Sequence, residues 1–296
     1  MSSALGRGNT RTRSRVECFS LRRGIDHSMI RLIATDLDGT LLDSDGRIPL
    51  ENRRALERAV KSGVRLALAT ARKASTTASV ARALGLPCAR IAHNGARIWD
   101  WTGRELRHYR LPMELAESIA CFADAHNIGL ITTIDEVNYY GGAARALLYA
   151  PEDIGVPSNR EAISGPPTRI IAVGSPEIDL LCEEFGDAPD SLVLHRYYSR
   201  VGALESAVLT HPKATKEHAL AELCAEEGIH AEEVIALGDA EADAGMLRWA
   251  GVGIAMANAM AEARAAADWL APSHDGAGVA AAIDRFVVGS VPSDLV

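Results

Sequence analysis

Ile33-Ala34-Thr35-Asp36-Leu37-Asp38-Gly39-Thr40-Leu41-Leu42 is the stretch whose reading decides the fold. Ile30–Thr35 predicts a short buried strand, and two carboxylates, Asp36 and Asp38, follow it at once. Gly39 lets the chain turn tightly behind them. Downstream, Glu51–Ser62 has helical spacing (Ala55, Leu56, Ala59, Val60), with Gly63 as its stop. Val64–Ala69 predicts a second strand ending at Thr70, and a helix follows to about Leu84, closed by Gly85. Ala89–Ala92 predicts a third strand, ending at His93-Asn94-Gly95. Strand alternating with helix signals a parallel sheet with crossover helices, an α/β core. Ligand sites of such sheets lie beyond the C-terminal strand ends, where Asp36 and Asp38 fall.

From about residue 97 to 210 the pattern changes. Ile98–Trp101, Leu130–Ile134, Arg169–Val173, Leu192–Tyr198 and Ala203–Leu209 are aromatic and β-branched, with helical stretches at Met113–His126 and Pro176–Phe185. The alternation then resumes with a helix from Lys216, the strand Glu233–Leu237, the apolar segment Val252–Ala255 and closing helices. The expected organisation is a Rossmann-like parallel-sheet core, 29–97 and 208–289, interrupted by an inserted α+β module, 98–207. Residues 1–28 carry Arg7, Arg11, Arg13, Arg15, Arg22 and Arg23 against only Glu17 and Asp26. They lack the apolar core of a secretory signal, and read as a disordered or misannotated extension ahead of Met29.

Composition narrows the function. The net charge of −8 argues against a general nucleic-acid binder, which needs a basic face. The five cysteines (Cys18, Cys88, Cys121, Cys182, Cys224) are scattered and form no CxxC pair, which disfavours a disulfide scaffold or a cysteine zinc site. A cytoplasmic protein with reduced thiols is expected. No apolar run approaches the ~18 residues of a membrane span, so no membrane partner is expected. No GxxxxGK[ST] loop occurs, which disfavours a P-loop nucleotide site.

A second acidic group follows the later strand: Gly238-Asp239-Ala240-Glu241-Ala242-Asp243. Either group alone reads as a solvated turn. Carboxylates converging on one sheet edge repel unless a cation neutralises them. Hard oxygen ligands suit Mg²⁺, which keeps waters and takes phosphate oxygens. Thr70 offers a hydroxyl, and backbone amides at a helix N-terminus, to an anion; Lys216 offers a charge.

These motifs in this order resemble the haloacid dehalogenase-like superfamily of phosphohydrolases, and within it the Cof-type branch with a large α/β cap. The residues that carry the resemblance are the first stretch above, Leu68-Ala69-Thr70-Ala71-Arg72, Ala92-His93-Asn94-Gly95-Ala96, Lys216-Glu217-His218-Ala219-Leu220, Ala236–Asp243 and Gly253–Ala259. The resemblance implies Asp36 as the nucleophile that forms an aspartyl-phosphate and Asp38 as acid and base. It implies Thr70 and Lys216 as holders of the phosphoryl oxygens. Mg²⁺ would be bound by Asp36, the backbone carbonyl of Asp38 and Asp239, with Asp243 ligating or orienting that shell. Asn94, at a strand end beside the hinge, is a further candidate for phosphate.

The chain departs from the family pattern at Ala71 (usually Gly), Ala242 (usually Asn) and Glu217 (usually Gly), and Lys213 rivals Lys216. In the inserted module, Glu136, Asn138, Arg145, His195, Arg196 and Arg200 are polar candidates for contact with the leaving group, against the plainer reading of solvated side chains. Tyr139, Tyr140, Tyr197 and Tyr198 read as packing residues. The expected function is a Mg²⁺-dependent phosphatase of small phosphorylated metabolites such as sugar phosphates. A sugar phosphomutase or phosphotransferase, and a non-catalytic phosphometabolite-binding protein, stand as alternatives.

Overall fold

The computed structural model describes residues 30–148, 150–173, 177–186, 190–198 and 204–287. The arginine-rich segment 1–28 and Arg200 lie outside the described residues. In chain order the first elements are β1 (Leu32–Thr35), α1 (Leu50–Lys61), β2 (Arg65–Ala69), α2 (Ala74–Leu84), β3 (Ala89–Ala92), β4 (Arg97–Trp99) and β5 (Glu105–His108). Next come α3 (Met113–Ala125), β6 (Gly129–Ile134), β7 (Val137–Gly141), β8 (Ile154–Gly155), β9 (Arg169–Val173), α4 (Ile178–Phe185), β10 (Val193–Tyr198) and β11 (Leu204–Thr210). The chain closes with α5 (Lys216–Glu226), β12 (Val234–Gly238), α6 (Ala244–Trp249), β13 (Val252–Met256), α7 (Ala261–Ala266), β14 (Trp269–Ala271) and α8 (Gly278–Phe286).

Two sheets result. The first has eight strands in the order β14-β13-β12-β1-β2-β3-β4-β5, parallel through β3. Its central strands are apolar on both faces because helices cover both. Ile33, Leu66, Leu68, Ile235 and Leu237 pack with Leu56 of α1 and Ile283 and Phe286 of α8. The opposite face is rich in alanine (Ala34, Ala67, Ala69, Ala236, Ala255), which lets α5 and α6 approach through Leu220, Leu223, Met246 and Leu247. From β1 the sheet grows to β2 on one side and to β12 on the other, each in parallel. That reversal of direction opens a crevice beyond the end of β1, flanked by the ends of β2 and β12.

The second sheet, β10-β11-β9-β6-β7-β8, has two unlike faces. Leu130, Ile170, Ala172, Ala207 and Leu209 pack beneath α3 and α4 with Ile119, Leu181 and Cys182. The antiparallel register sets Thr133 opposite Arg169 and Asn138, and Tyr197 opposite Ser206. These polar residues therefore share the other face, which turns toward the first sheet.

The sheets part the chain at different points from the sequence expectation of 97/98 and 207/208. β4 and β5 hydrogen-bond onto β3 and so extend the first sheet, whereas β11 runs to Thr210 within the second. Strand patterning reports that a segment is extended, not which sheet accepts its hydrogen bonds. Among the described residues, no helix is long and apolar enough to cross a membrane.

Candidate active site

The crevice gathers one residue from each flanking strand end. Asp36 directly follows β1 and is nearly buried; its amide donates to Leu237 O of β12 at 3.0 Å. The loop then doubles back against Asp239. Gly39 sits at φ +77°, and a Cβ there would lie 2.3 Å from Asp239 Oδ2, so this position needs glycine on two counts. Thr40, buried beside it, donates its hydroxyl to Asp239 Oδ1 at 2.8 Å.

Lys216 opens α5. Thr215 caps that helix by accepting from the His218 amide at 3.1 Å, and Gly95, at φ +108°, passes so close that a Cβ would lie 2.3 Å from Thr215 O. This packing buries Lys216, and its Nζ donates at 2.6 Å both to Asp36 Oδ1 and to Asp243 Oδ1. Lys213 is exposed instead. Asp243 Oδ2 accepts the amides of Asp239 and Ala240 at 3.0 and 2.9 Å. Both oxygens of Asp243 thus have protein donors, which braces the ammonium and the loop after β12.

The charges are heavily desolvated. Burial raises the pKa of Asp36, against the pull of the Lys216 ammonium, and the carboxylates of Asp243 and Asp239 push the same way. Burial takes Asp239 up to about 6, again helped by Asp243. Burial alone would lower Lys216, but Asp243 and Asp36 outweigh it and raise its pKa. Three carboxylates against one ammonium leave excess negative charge. Asp36, Asp239 and Asp243 each offer an oxygen, all within 4.8 Å of one another. A hard divalent cation would relieve that repulsion, and the all-oxygen donor set fits Mg²⁺.

A cavity of about 270 Å³ opens over these groups, lined by Asp36, Asp38, Thr70, Asn94 and Lys216 among others. Thr70 is buried, and its hydroxyl accepts the Arg72 amide at 3.2 Å. The helix it was expected to open starts later, at Ala74. The N-terminal amide of Ser75 in α2 is taken by Glu136 Oε2 at 3.2 Å, so that helix end serves the second sheet rather than the cavity. Asp38 is exposed and held by Arg72 through a two-pronged pair at 2.7 and 2.5 Å. Asn94, at φ +57°, is 2% exposed and donates from Nδ2 to the Tyr197 hydroxyl at 3.2 Å.

The second sheet reaches the crevice in two places. His195, Arg196 and Tyr197 line the cavity from β10. Beside it, Glu136 at the β6–β7 turn meets His93 Nε2 at 2.8 Å and Arg97 Nη1 at 2.9 Å, and Arg169 of β9 donates to Ala71 O at 2.8 Å. Asn138 faces Thr133 and Asp153 instead, and Arg145 is exposed. Tyr140 is buried; Tyr139 is half-buried.

Sequence reasoning assigned no role to Thr40, Arg72 or Arg169. The first two lie inside quoted motifs, Thr40 four residues after Asp36 and Arg72 two after Thr70, and that proximity was the available signal. Arg169 had none, since its contacts cross between sheets.

The haloacid dehalogenase-like hydrolase family model matches residues 33–283. The chain is 29% identical over 287 residues to a 5-amino-6-(5-phospho-D-ribitylamino)uracil phosphatase, YwtE, of Bacillus subtilis, covering 88% of this chain and 99% of that one. It is 30% identical to the phosphatase YwpJ of the same organism, over 85% and 98% of the two chains. A solved haloacid dehalogenase-like hydrolase from B. subtilis superposes with a TM-score of 0.76 at 26% identity, covering 87% of this chain and all of that one (100%).

Proposed function

The chain belongs to the haloacid dehalogenase-like hydrolases, in their Cof-type branch, and we propose that it is a Mg²⁺-dependent phosphatase of small phosphorylated metabolites, sugar phosphates among them. As a member with named phosphatase relatives it is a phosphoric monoester hydrolase. The observation that carries the finer reading is the buried Asp36 carboxylate at the β1 end, paired to Lys216 and within one oxygen cluster with Asp239 and Asp243.

In this reading Asp36 attacks phosphorus and the ester P–O bond breaks as the Asp36–phosphorus bond forms. Asp38 gives its proton to the departing alcohol oxygen, then takes one from the water that hydrolyses the aspartyl-phosphate. Arg72 holds both carboxylate oxygens of Asp38, so this pair must loosen as the ester enters. Lys216 stays charged and, with the Thr70 hydroxyl, faces the phosphoryl oxygens. Asp36, Asp239 and the carbonyl of Asp38 would hold Mg²⁺, braced by Asp243. The cation would offset the repulsion between an anionic nucleophile and an anionic phosphate. The module of the second sheet, from α3 to the end of β11 (Met113–Thr210), acts as a cap that excludes water from the crevice. The buried thiols Cys88, Cys182 and Cys224 suit a reducing, cytoplasmic setting.

The test is phosphate release from a panel of phosphorylated metabolites with Mg²⁺ and with chelator. Release that requires the metal supports the reading. Transfer of the phosphoryl group to a second substrate molecule instead of water would replace it by a phosphotransferase. Binding without turnover would replace it by a phosphometabolite-binding protein.

A further inference from the structure

Thr70, Ala71 and Arg72 open the loop that joins β2 to α2, and their carbonyls are held from two sides. Thr70 O accepts the Asn94 amide at 3.0 Å, and Arg72 O accepts the His93 amide at 2.9 Å, both from the turn after β3. Ala71 O, between them, accepts instead from Arg169 Nη1 at 2.8 Å, across the gap from β9 of the second sheet. The loop is held again further on, where Lys73 Nζ donates to Glu136 O at 3.3 Å.

A trans peptide points its C=O and the next N–H in opposite directions. Turning the Ala71 carbonyl to Arg169 therefore turns the Arg72 amide the other way, where it donates to Thr70 Oγ1 at 3.2 Å. That bond uses a lone pair of the hydroxyl and leaves its hydrogen to give. Among the described residues the hydrogen meets no protein acceptor, and Thr70 lines the cavity over Asp36.

Arg169 is itself aimed by a chain of directional bonds. Its Nε donates to Thr133 Oγ1 at 3.3 Å, the Thr133 hydroxyl donates to Asn138 Oδ1 at 2.9 Å, and Asn138 Nδ2 donates to Asp153 Oδ2 at 3.4 Å. Thr133 and Asn138 are buried. The guanidinium is half-buried on neutral acceptors, and burial lowers its pKa against the pull of Tyr197, Glu136 and Tyr140. Apolar side chains would join two sheets without desolvating a charge.

We infer that Arg169 is a positioning residue: from the second sheet it holds the Ala71 peptide so that the Thr70 hydroxyl meets the transferring phosphoryl group. This rests on the phosphatase reading above. Its effect falls on the phosphoryl group, which every ester shares, and not on the alcohol.

Arg169→Met keeps much of the bulk and removes every donor. In the full chain with Mg²⁺ it should lower kcat by about thirtyfold, alike for p-nitrophenyl phosphate and for each sugar phosphate, with little change in KM. Arg169→Lys, which keeps the charge and an N–H donor, should recover part of that loss. The deciding comparison is a double-mutant cycle: in a Thr70→Ala background Arg169→Met should cost only about threefold or less. Circular dichroism and Tm check folding, and if Arg169→Met does not fold, Thr133→Val, which removes the acceptor that aims the guanidinium, takes its place in the cycle. Full additivity with Thr70→Ala, losses that differ between esters by about tenfold or more, or wild-type kcat in the folded variant would overturn the assignment. If the wild type releases phosphate from none of the esters, the phosphatase reading falls separately. Calorimetric titration with inorganic phosphate and Mg²⁺ then decides the role of Arg169: binding weakened by Arg169→Met supports it, and binding equal in both proteins or absent from both sinks it.

Discussion

The site is made of side chains whose ionisation is governed by a few neighbours at hydrogen-bond distance. Asp36 is nearly isosteric with asparagine, so Asp36→Asn should keep the fold and the Lys216–Asp243 pair while removing the nucleophile. Phosphate release should drop by about a thousandfold or more, with Tm changed by only a few degrees. Retention of most of the activity would rule Asp36 out as nucleophile. Ala242 lines the cavity where the family pattern has asparagine. Ala242→Asn restores an amide near the phosphoryl position, and turnover of generic phosphoesters should rise by about three- to tenfold; an unchanged rate would mean the site has adapted to alanine. At this scale the sequence was most legible. Asp36, Thr70 and Asp239 each end a strand whose apolar run is visible in the chain, so their shared edge follows from alternation alone. Arg72 was not legible as the partner of Asp38, because that pair joins two loops through space.

Among elements, a close cross-sheet contact joins the turn after β3 to the turn between β6 and β7. His93, Asn94, Asp135 and Glu136 all hold positive φ without being glycine, a costly backbone that persists where contacts over-determine it. Burial holds His93 down to about 4, against its hydrogen bond to the Glu136 carboxylate and with help from Arg169 and Arg97. Burial would raise Glu136, but bonds to His93, the Ser75 amide and Arg97 outweigh it and take it down to about 2. Both pKa values are lowered on folding, so the unfolded chain binds protons more readily. The stability His93 lends is complete above its ordinary 6.5 and is lost as pH falls toward 4. That of Glu136 is lost between 4.5 and 2. His93→Asn accepts the same backbone and removes the first titration. Urea unfolding from pH 7 to 4 should show a shallower loss of stability in this variant than in wild type, the remaining slope being set by His108, His195 and His211, which burial lowers, against Asp36 and Asp239, which burial raises. Identical slopes would show that His93 does not report this contact. Patterning alone located β6, β9 and β11 within a residue or so, yet it did not reveal that the α2 N-terminus would be filled by Glu136.

For the whole molecule, the crevice lies where the parallel sheet reverses direction, and the second sheet sets a polar face over it. Asp36, Asp239 and Asp243 bring their oxygens together, so on the proposed reading binding of Mg²⁺ should stabilise the native state by mass action. At saturating Mg²⁺ the Tm should rise by about 3–8 °C, and Asp239→Asn should remove most of that shift; equal shifts in both proteins would place the metal elsewhere. The sequence by itself determined the α/β alternation, the acidic strand ends and the family, because these depend on residues adjacent in the chain and on periodicities of two and 3.6. The tertiary structure decided which sheet takes β4, β5 and β11, that Lys216 rather than Lys213 sits between Asp36 and Asp243, and that Asn94 and His195 both line the cavity. Those outcomes are set by packing between segments far apart in the chain, where hydrogen-bond partners and burial depend on the relative placement of whole sheets, and no local pattern encodes that placement.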